Sequence, residues 1–286
     1  MGISTDSWLA GVGTDGPFTG VAVQRGYPVF LKENCIHRVS GSTPGSFSIT
    51  TTVCRGVQDG SGKSVCVVNE AIYYKSRKEV MMYDGSMPVS VGDQLGDVAY
   101  SDARAGALDG KYYISMKDKD NHWHMFNYDT NHGQWNREDA THALGFAAVG
   151  GELFYIDADH NTLVSVKGSV GTAEEDFDWA AEFDLYGAQY SAGSIYDSPA
   201  RVRNAKYISM FKIRMSLDED AKMSLWIKYD NEMFRLQGTR KGSEMRTFVL
   251  PIVPRRCDHI RFKIVGHGGA KIYSISRILE VGGDGV

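Results

Sequence analysis

The chain has 286 residues, of which 42% are hydrophobic and 23% charged, and its formal net charge is −4. This composition is that of a globular protein long enough to bury a core without disulfides or metal, and it excludes disordered and collagen-like chains. No apolar run reaches the length of a membrane-spanning helix, and the first residues lack a basic region followed by an apolar run. We therefore expect a protein kept in the cytosol, or released without a signal peptide, and no membrane partner.

Charge is divided unevenly along the chain. Residues 1–200 carry 14 Lys and Arg against 26 Asp and Glu, whereas residues 201–286 carry 17 against 9. The two parts therefore have net charges of −12 and +8. Opposite charges of this size predict either head-to-tail contact between subunits or one face turned toward a charged partner. Two domains that simply differ in composition would give the same division.

The first part of the chain is a repeat of predicted β-hairpins. Each unit is an apolar strand, a polar turn and a second apolar strand, and successive units start 40 to 44 residues apart at 27–41, 71–85, 111–130 and 152–166. A hairpin repeat of this period is typical of a β-propeller with one four-stranded blade per repeat. Four blades fit between residue 17 and about residue 168. Since four is a low number for a closed propeller, we expect a ring that is either incomplete or finished by segments outside this chain.

From Lys206 the pattern changes to strands with alternating apolar and polar residues. Strict alternation predicts an antiparallel β-sandwich with one solvated face. The fold class is therefore all-β, with a propeller-like domain at 1–178 and a β-sandwich at 179–286. Basic residues at alternating positions should project from the solvated side of the sandwich as a basic face for contact between subunits: Lys212, Arg214, Arg261 and Lys263.

The sequence G-S-G-K-S at 60–64 raises the question of a nucleotide-binding P-loop. Such a loop needs a glycine at position 57, where Val57 stands, and a helix after the motif. The residues that follow, S-V-C-V-V, are β-branched and predict a strand, which offers no helix N-terminus to phosphate. We interpret 59–63 as a hairpin turn and predict no cofactor.

Metal sites are weakly indicated. His122 and His124, separated by one residue, would lie on the same face of a strand, a spacing that can ligate zinc. No third ligand is obvious, although His132 and His142 follow. We favour exposed polar residues on a strand and predict no metal, with His122 and His124 as the only candidates.

Two further patterns are explained without a metal. The sequence D-A-D-H-N at 157–161 resembles the start of a calcium loop but lacks the glycine and the glutamate that complete one, so we predict a polar turn. The four cysteines show no C-x-x-C spacing, and we predict reduced thiols in the interior: Cys35, Cys54, Cys66 and Cys257.

No catalytic constellation emerges. A glycosidase needs two carboxylates on facing loops, and nothing singles out a pair among Asp84, Asp129, Glu138 and Asp139. The cluster R-R-C-D-H at 255–259 fails as a catalytic set, because adjacent residues on a strand point to opposite faces. The sequence therefore predicts a protein that is not an enzyme.

Three aromatic residues are candidates for contact with a glycan or a partner: Trp123, Tyr128 and Trp135. Exposed rings of this kind could stack on sugars. The alternative, which we favour, is that they pack within a blade, since Y-D-T-N-H-G-Q-W at 128–135 has the form of a turn that closes one.

Several phrases resemble a family of uncharacterised phage and prophage proteins of gut Firmicutes, encoded among virion structural genes. They include G-P-F-T-G at 16–20, Y-P-V-F-L-K-E-N-C-I-H-R-V-S-G at 27–41 and R-R-C-D-H-I-R-F-K-I-V-G-H-G-G at 255–269. The resemblance covers essentially the whole chain and implies no catalytic residue. Family members look longer at the N-terminus, which would agree with an incomplete ring. A looser architectural similarity is to tail propellers that form rings around DNA.

From the resemblance we predict a non-enzymatic virion structural protein, in a tail or a head–tail ring, assembled in the bacterial host cytoplasm. Its expected partners are other virion proteins, further copies of itself, and DNA passing through a channel. The alternative function is a receptor- or glycan-binding tail module, and a further one is a propeller glycosidase that degrades a host polymer.

Overall fold

The structure, a computed structural model, describes residues 9–168, 178–184, 206–252, 255 and 260–281. These residues form many small antiparallel sheets, which confirms the predicted all-β fold with a propeller-like array. The chain divides into two compact units, Met1–Ala173 and Glu174–Val286, a few residues before the predicted boundary at 178. In the described part no helix is long and apolar enough to cross a membrane.

The first unit contains four consecutive sheets, in each of which neighbouring strands in sequence are hydrogen-bonded neighbours in space. Sheet 1 consists of β1 Gly20–Gln24, β2 Tyr27–Leu31, β3 Cys35–Ser40 and β4 Ser48–Val53. Sheet 2 consists of β5 Cys66–Val68, β6 Ala71–Lys75, β7 Val80–Tyr83 and β8 Val89–Ser90. Sheet 3 consists of β9 Tyr100–Leu108, β10 Lys111–Asp118, β11 Trp123–Asp129 and β12 Gln134–Arg137. Sheet 4 consists of β13 Ala143–Val149, β14 Glu152–Asp157 and β15 Thr162–Ser165.

The predicted hairpins are the second and third strands of these sheets, and in sheet 4, which has three strands in the described part where four were expected, they are the last two. Their first residues coincide with the first residues of β2, β6, β10 and β14. Residues with left-handed backbone recur in the turn that precedes each predicted hairpin, at Gly26, Asn69, Gly110 and Gly150, and they mark the start of each repeat.

The sheets follow one another as a fan. The first strand of each sheet contacts the first strand of the next, so that β1 meets β5, β5 meets β9 and β9 meets β13. Apolar clusters fill the spaces between sheets 1 and 2 and between sheets 2 and 3. At the two ends of the fan, apolar side chains stay exposed, including Val21 on sheet 1 and Val149, Ile156 and Leu163 on sheet 4.

The G-S-G-K-S segment lies where the first strands meet. It joins β4 of sheet 1 to β5 of sheet 2, and Gly62–Ser64 forms one 3-10 turn. The predicted strand after the motif is confirmed, and no helix follows it. The predicted hairpin turn at 59–63 is wrong, because the segment connects two sheets and does not reverse the chain within one.

We call residues 60–64 the hub, since their polar groups hold the sheets together. The Oγ of buried Ser61 accepts the N–H of Ala103 in sheet 3 at 3.1 Å. The Oγ of buried Ser64 accepts the N–H of Lys75 in sheet 2 at 2.9 Å. The Tyr112 hydroxyl of sheet 3 donates to the carbonyl oxygen of Ser64 at 2.7 Å. Each serine therefore satisfies a backbone group of another sheet that is shielded from water.

The remaining hub contacts reach sheets 1 and 4. Gly62 packs so closely beside β1 that a Cβ at this position would lie 2.2 Å from the carbonyl oxygen of Thr19. The amine of Lys63, which is exposed, donates to the carbonyl oxygen of Leu144 in sheet 4 at 3.5 Å. Only glycine permits the first of these contacts, and the second is long and weak.

The second unit is built on a long antiparallel ribbon. Its strands are β16 Asp178–Asp184, β17 Lys206–Tyr229, β18 Arg235–Pro251, β19 Ile260–His267 and β20 Ala270–Val281. Strand β17 pairs with β18 along most of its length, with β20 along its first half and with β19 along its second half.

The ribbon is folded in half. Phe211 and Ile227 lie 16 residues apart on β17, about 50 Å along a straight strand. Yet Phe262, which is paired with Ile227, packs on Phe211 with ring centroids 4.8 Å apart. The predicted antiparallel sandwich is therefore formed by two halves of the same strands around one apolar cluster. The bend lies near Asp218, where Gly242 is close enough that a Cβ would lie 2.1 Å from the Asp218 carbonyl oxygen.

We predict that Ser61→Ala destabilises the protein by about 1–3 kcal/mol, because it leaves the buried N–H of Ala103 without an acceptor. Urea unfolding followed by circular dichroism would measure the loss. Lys63→Ala is the matched control and should change stability by less than about 0.5 kcal/mol. An equal loss for both variants would contradict the role assigned to the buried serine.

Candidate functional site

A cavity of about 930 Å³ lies on the outer face of sheet 1, the face turned away from sheet 2. Its wall is mostly apolar and includes one imidazole, that of His37. The aromatic part of the wall consists of Phe18, Tyr27, Phe30 and Phe47. Apolar side chains from the segment before β1 and from the sheet complete the wall: Leu9, Val12, Val21, Val39 and Ile49.

The segment before β1 lies across this face and is held there by a buried lysine. The Lys32 amine donates to the carbonyl oxygen of Thr14 at 2.7 Å and sits 4.9 Å from the centre of the Phe18 ring. The ring of Phe18 in turn packs on Phe30, with centroids 5.7 Å apart. The Lys32 ammonium thus holds the segment before β1 against sheet 1 through the Thr14 carbonyl oxygen and the Phe18 ring.

His37 is the polar centre of the wall and is almost fully buried. Its Nδ1 lies 2.9 Å from the Thr51 hydroxyl, and its Nε2 lies 3.0 Å from the Thr14 hydroxyl. Burial, and secondarily the nearby Lys32 ammonium, lower the pKa of His37. The imidazole is therefore neutral at pH 7 and can exchange hydrogen bonds with the two hydroxyls.

The structure also brings a cysteine beside this histidine, which sequence reasoning missed. Cys35 lies two residues before His37 on β3, so both point to the same side, and its Sγ is 3.4 Å from Nε2. Cys35 is buried and is not part of the cavity wall. Burial raises the pKa of Cys54 to about 11 and of Cys66 to about 12, as expected for inert thiols. Cys257 lies outside the described residues.

The predicted aromatic contacts lie elsewhere. Trp135 is 9% exposed, and its indole N–H donates to the carbonyl oxygen of Val91 at 2.6 Å. Tyr128 packs between Trp135 and Tyr73, with ring centroids at 5.0 and 5.9 Å. These two residues pack between sheets 2 and 3, in line with the alternative favoured from the sequence, and their contact with a glycan or a partner stays a prediction.

Trp123 is half-buried on sheet 3. Its ring stacks on His142 with centroids 3.7 Å apart and planes 9° from parallel. One ring face is thereby covered by the imidazole, and the residue lies outside the cavity wall.

The predicted metal candidates converge on a carboxylate. His124 Nε2 lies 2.8 Å from Asp118 Oδ2, and His122 Nδ1 lies 3.7 Å from the same oxygen. The hydrogen bond from His124 holds the pKa of Asp118 at about 2. His122 precedes β11 and does not lie on the strand as predicted. Over the described ranges, no three His, Cys, Asp or Glu side chains are placed to hold a metal ion.

The carboxylates considered for glycosidase chemistry organise turns. Asp84 accepts a hydrogen bond from the Ser86 hydroxyl, and Asp129 is hydrogen-bonded to a ring nitrogen of His132. These hydrogen bonds lower the pKa of both carboxyls. The D-A-D-H-N stretch is the predicted polar turn, with Asp157 bonded to His160 at 2.7 Å. A general acid needs a raised pKa, so Asp84, Asp129 and Asp157, whose pKa values are lowered, have the opposite character.

The four predicted basic residues do not share one face. Lys212 and Arg214 are exposed on the first half of β17, whereas Arg261 and Lys263 lie on β19, in the other half of the folded ribbon. Since the two halves pack through their inner faces, the two pairs project in different directions. Of the R-R-C-D-H cluster, Arg255 pairs with Glu232, and residues 256–259 lie outside the described part.

With this geometry in place, the chain can be compared with known proteins. No family model and no curated protein matches it. Among solved structures it is similar to an exo-β-1,3-galactanase from Phanerochaete chrysosporium, with 7% identity, a TM-score of 0.31 and coverage of 88% of this chain and 80% of that one. An engineered GH43 glycoside hydrolase has 9% identity, a TM-score of 0.30 and coverage of 91% and 85%. An arabinoxylan arabinofuranohydrolase from Bacillus subtilis has 9% identity, a TM-score of 0.24 and coverage of 88% and 78%.

These findings correct the predicted function. The structures named here are glycoside hydrolases, which contradicts the prediction of a non-enzymatic virion structural protein in a tail or ring. They also leave the prediction that the chain is not an enzyme without support. TM-scores this low carry no argument about activity, so the function of the chain has to be inferred from its own residues. The resemblance to a phage family, the virion location and the predicted partners stay predictions.

The lowered pKa of His37 predicts that stability falls with acid. The pKa of His37 in the folded protein lies below its unfolded value of about 6.5. The contribution of the neutral imidazole to the free energy of unfolding is therefore fully present above about pH 6.5 and declines as the pH falls toward the folded pKa. The opposite contribution of His160, whose pKa is raised by its hydrogen bond to Asp157, comes from an exposed side chain and is screened by solvent. Urea unfolding at about pH 7.5 and about pH 5.5 would show a lower midpoint in acid. His37→Gln should flatten this difference, whereas the exposed control His132→Gln should retain it. A difference unchanged in His37→Gln would show that another group causes it.

Proposed function

We propose that this protein binds a carbohydrate in the cavity on sheet 1. The observation that carries the proposal is a cavity of about 930 Å³ with four aromatic rings and one neutral imidazole in its wall. Ligand sites are usually concave and mostly apolar, with a few polar groups that fix orientation, and this volume lies in their usual range.

The wall fits the two-sided chemistry of a sugar. A pyranose ring has an apolar face of C–H groups that packs on an aromatic ring, and a rim of hydroxyls that need hydrogen-bond partners. Phe18 and Tyr27 keep 53% and 37% of their surfaces exposed. Lys32 covers one face of the Phe18 ring and Arg38 one face of the Tyr27 ring, at 4.9 and 4.3 Å from the ring centres, so a ligand would pack on the exposed remainder of each ring. The hydroxyls of Thr19 and Tyr27 can accept hydrogen bonds at the same wall, whereas both ring nitrogens of His37 are already bonded to Thr14 and Thr51.

Binding is favoured over hydrolysis by the same wall. Hydrolysis by the common mechanism needs two carboxyl groups flanking the glycosidic bond. Among the described residues that line the cavity, none is Asp or Glu. The Lys32 ammonium near the wall is engaged by a carbonyl and by the Phe18 ring, so it is placed to support the site and not to donate a proton.

A glycan array followed by calorimetric titration with the best-binding oligosaccharide would test the proposal. Phe18→Ala and Tyr27→Ala should each weaken binding about tenfold, the equivalent of about 1.4 kcal/mol, because each removes a stacking surface. Trp123→Ala is the matched aromatic control outside the cavity and should leave binding unchanged.

Three results would contradict the proposal. One is an array without a bound glycan. Another is loss of binding in Trp123→Ala but not in the cavity variants. The third is release of reducing ends from the bound oligosaccharide, which would assign a hydrolase instead.

A further inference from the structure

The outer face of one half of the folded ribbon gathers lysines around a tryptophan. On β17 and β19 the side chains alternate, so that Ile227 and Phe262 point into the core and their neighbours point out. The outward set, which we call the Trp226 face, consists of Trp226, Lys222, Lys228, Lys241, Arg261 and Lys263. It lies on the second unit and is distinct from the cavity on sheet 1.

Like charges oppose each other directly on this face. Lys222 is paired across the sheet with Lys241, and Lys228 with Arg261. Such pairs are destabilising when both side chains are charged. Folding alone therefore gives no reason for this arrangement, and an anionic partner would relieve the repulsion.

In the described pairings, Lys222, Lys228 and Lys241 have no acidic residue directly across the sheet, whereas Lys263 lies opposite Glu182 of β16 and its amine is 5.9 Å from the centre of the Phe234 ring. Within the described ranges, no ion pair is formed by the amines of Lys222, Lys228, Lys241 or Lys263. Acidic side chains lie at one edge, on β16, where Glu182 is 3.6 Å from Arg261 and Asp178 is 2.9 Å from His267. The centre of the face is therefore cationic and its β16 edge is mixed.

Trp226 provides an aromatic surface at this cationic centre. It is half-buried, lies directly across from Lys263, and its indole N–H donates to the Ser224 hydroxyl at 3.0 Å. That bond fixes the ring beside the sheet. Leu236, which is 51% exposed, is paired with Trp226 on the other side and extends the apolar surface.

We propose that the Trp226 face binds an acidic polysaccharide. A sugar ring would pack its C–H face on the indole, and carboxylates of neighbouring sugars would pair with lysines on both sides. Lys222 and Lys228 are six residues apart, so the cations extend over about 20 Å of strand. Single-stranded nucleic acids are usually bound by several aromatic rings that stack successive bases. The indole and the Phe234 ring beside Lys263 are two rings among many cations, which fits a sugar polymer better than a row of stacked bases.

Polygalacturonate is the probe for this proposal, and fully methyl-esterified polygalacturonate, which has the same backbone without charge, is the matched ligand control. We expect the first to bind the intact chain with an affinity that falls steeply as salt increases, and the second to bind at least tenfold more weakly. The combined variant Lys228→Glu, Lys263→Glu should lose at least tenfold in affinity for polygalacturonate. Trp226→Ala should also lose affinity, with a smaller change in the salt dependence.

The matched protein control is Lys212→Glu, Arg214→Glu, which makes the same change in net charge on the other half of the ribbon and should retain binding. The milder variant Lys222→Gln, Lys241→Gln should also lose affinity, and a melting curve for each variant would establish that it is folded. Trp123→Ala, which lies outside both the cavity and the Trp226 face, should bind polygalacturonate normally.

The proposal is overturned if Lys212→Glu, Arg214→Glu loses as much affinity as the variant of the Trp226 face, since net charge alone would then explain binding. It is equally overturned if an oligo(dT) strand binds this face as tightly as polygalacturonate, or if Trp226→Ala has no effect.

Discussion

Two buried serine hydroxyls at the meeting point of the sheets are the constraint on which the first unit depends. A fan of sheets has backbone groups at its axis that belong to no ladder, and a buried N–H without an acceptor is costly. Ser61 and Ser64 supply acceptors to sheets 3 and 2, and Gly62 lets β1 approach within van der Waals distance. A short segment with small polar side chains and no Cβ at its centre is what such an axis requires. That is also why it imitates a phosphate-binding loop in sequence, since both need glycines and hydroxyls in a tight turn.

The repeating part of the fold was predictable, because its signal is local. Turn residues such as Gly26 and Gly110 are set by backbone conformation alone, and the strands between them alternate or run apolar according to burial. The hub was not predictable, because its bonds join residues about 10 to 50 positions apart whose neighbourhood depends on the finished fan. The aromatic residues Tyr128 and Trp135 show the same limit. Their sequence favours packing but also allows an exposed platform, and only the position of sheet 2 decides between the two.

The candidate cavity follows from the way the fan ends. Each internal sheet has a neighbouring sheet on both faces. In the described part of the chain, sheet 1 has a neighbouring sheet on one face, and the segment before β1 covers part of the other face. Apolar side chains that would fill an interface elsewhere therefore become the wall of a cavity here. Alternation along β2 and β3 could have placed Phe30 and His37 on that outer face. It could not have shown that Lys32 and Thr14 would hold a loop across it, since that contact spans 18 residues of irregular chain.

In the second unit, the alternation of apolar and polar residues predicts on which side of the sheet a side chain lies, but it does not predict which way that side faces once the ribbon is folded. Period-two patterning correctly separated the inward residues of β17 from Lys212, Arg214 and the outward residues of β19. It treated all the outward cations as one surface, which would hold for a straight ribbon. The bend near Asp218 depends on the close approach of Gly242 and Gly269. A Cβ at Gly242 would collide with the Asp218 carbonyl oxygen, and a Cβ at Gly269 would collide with the Asp218 carboxylate. Because the ribbon folds there, the basic charge of the second unit is divided between two outer faces. Among the described residues, only one of these faces has a tryptophan beside opposed lysines, and that combination, more than net charge, distinguishes a binding surface from a solvated one.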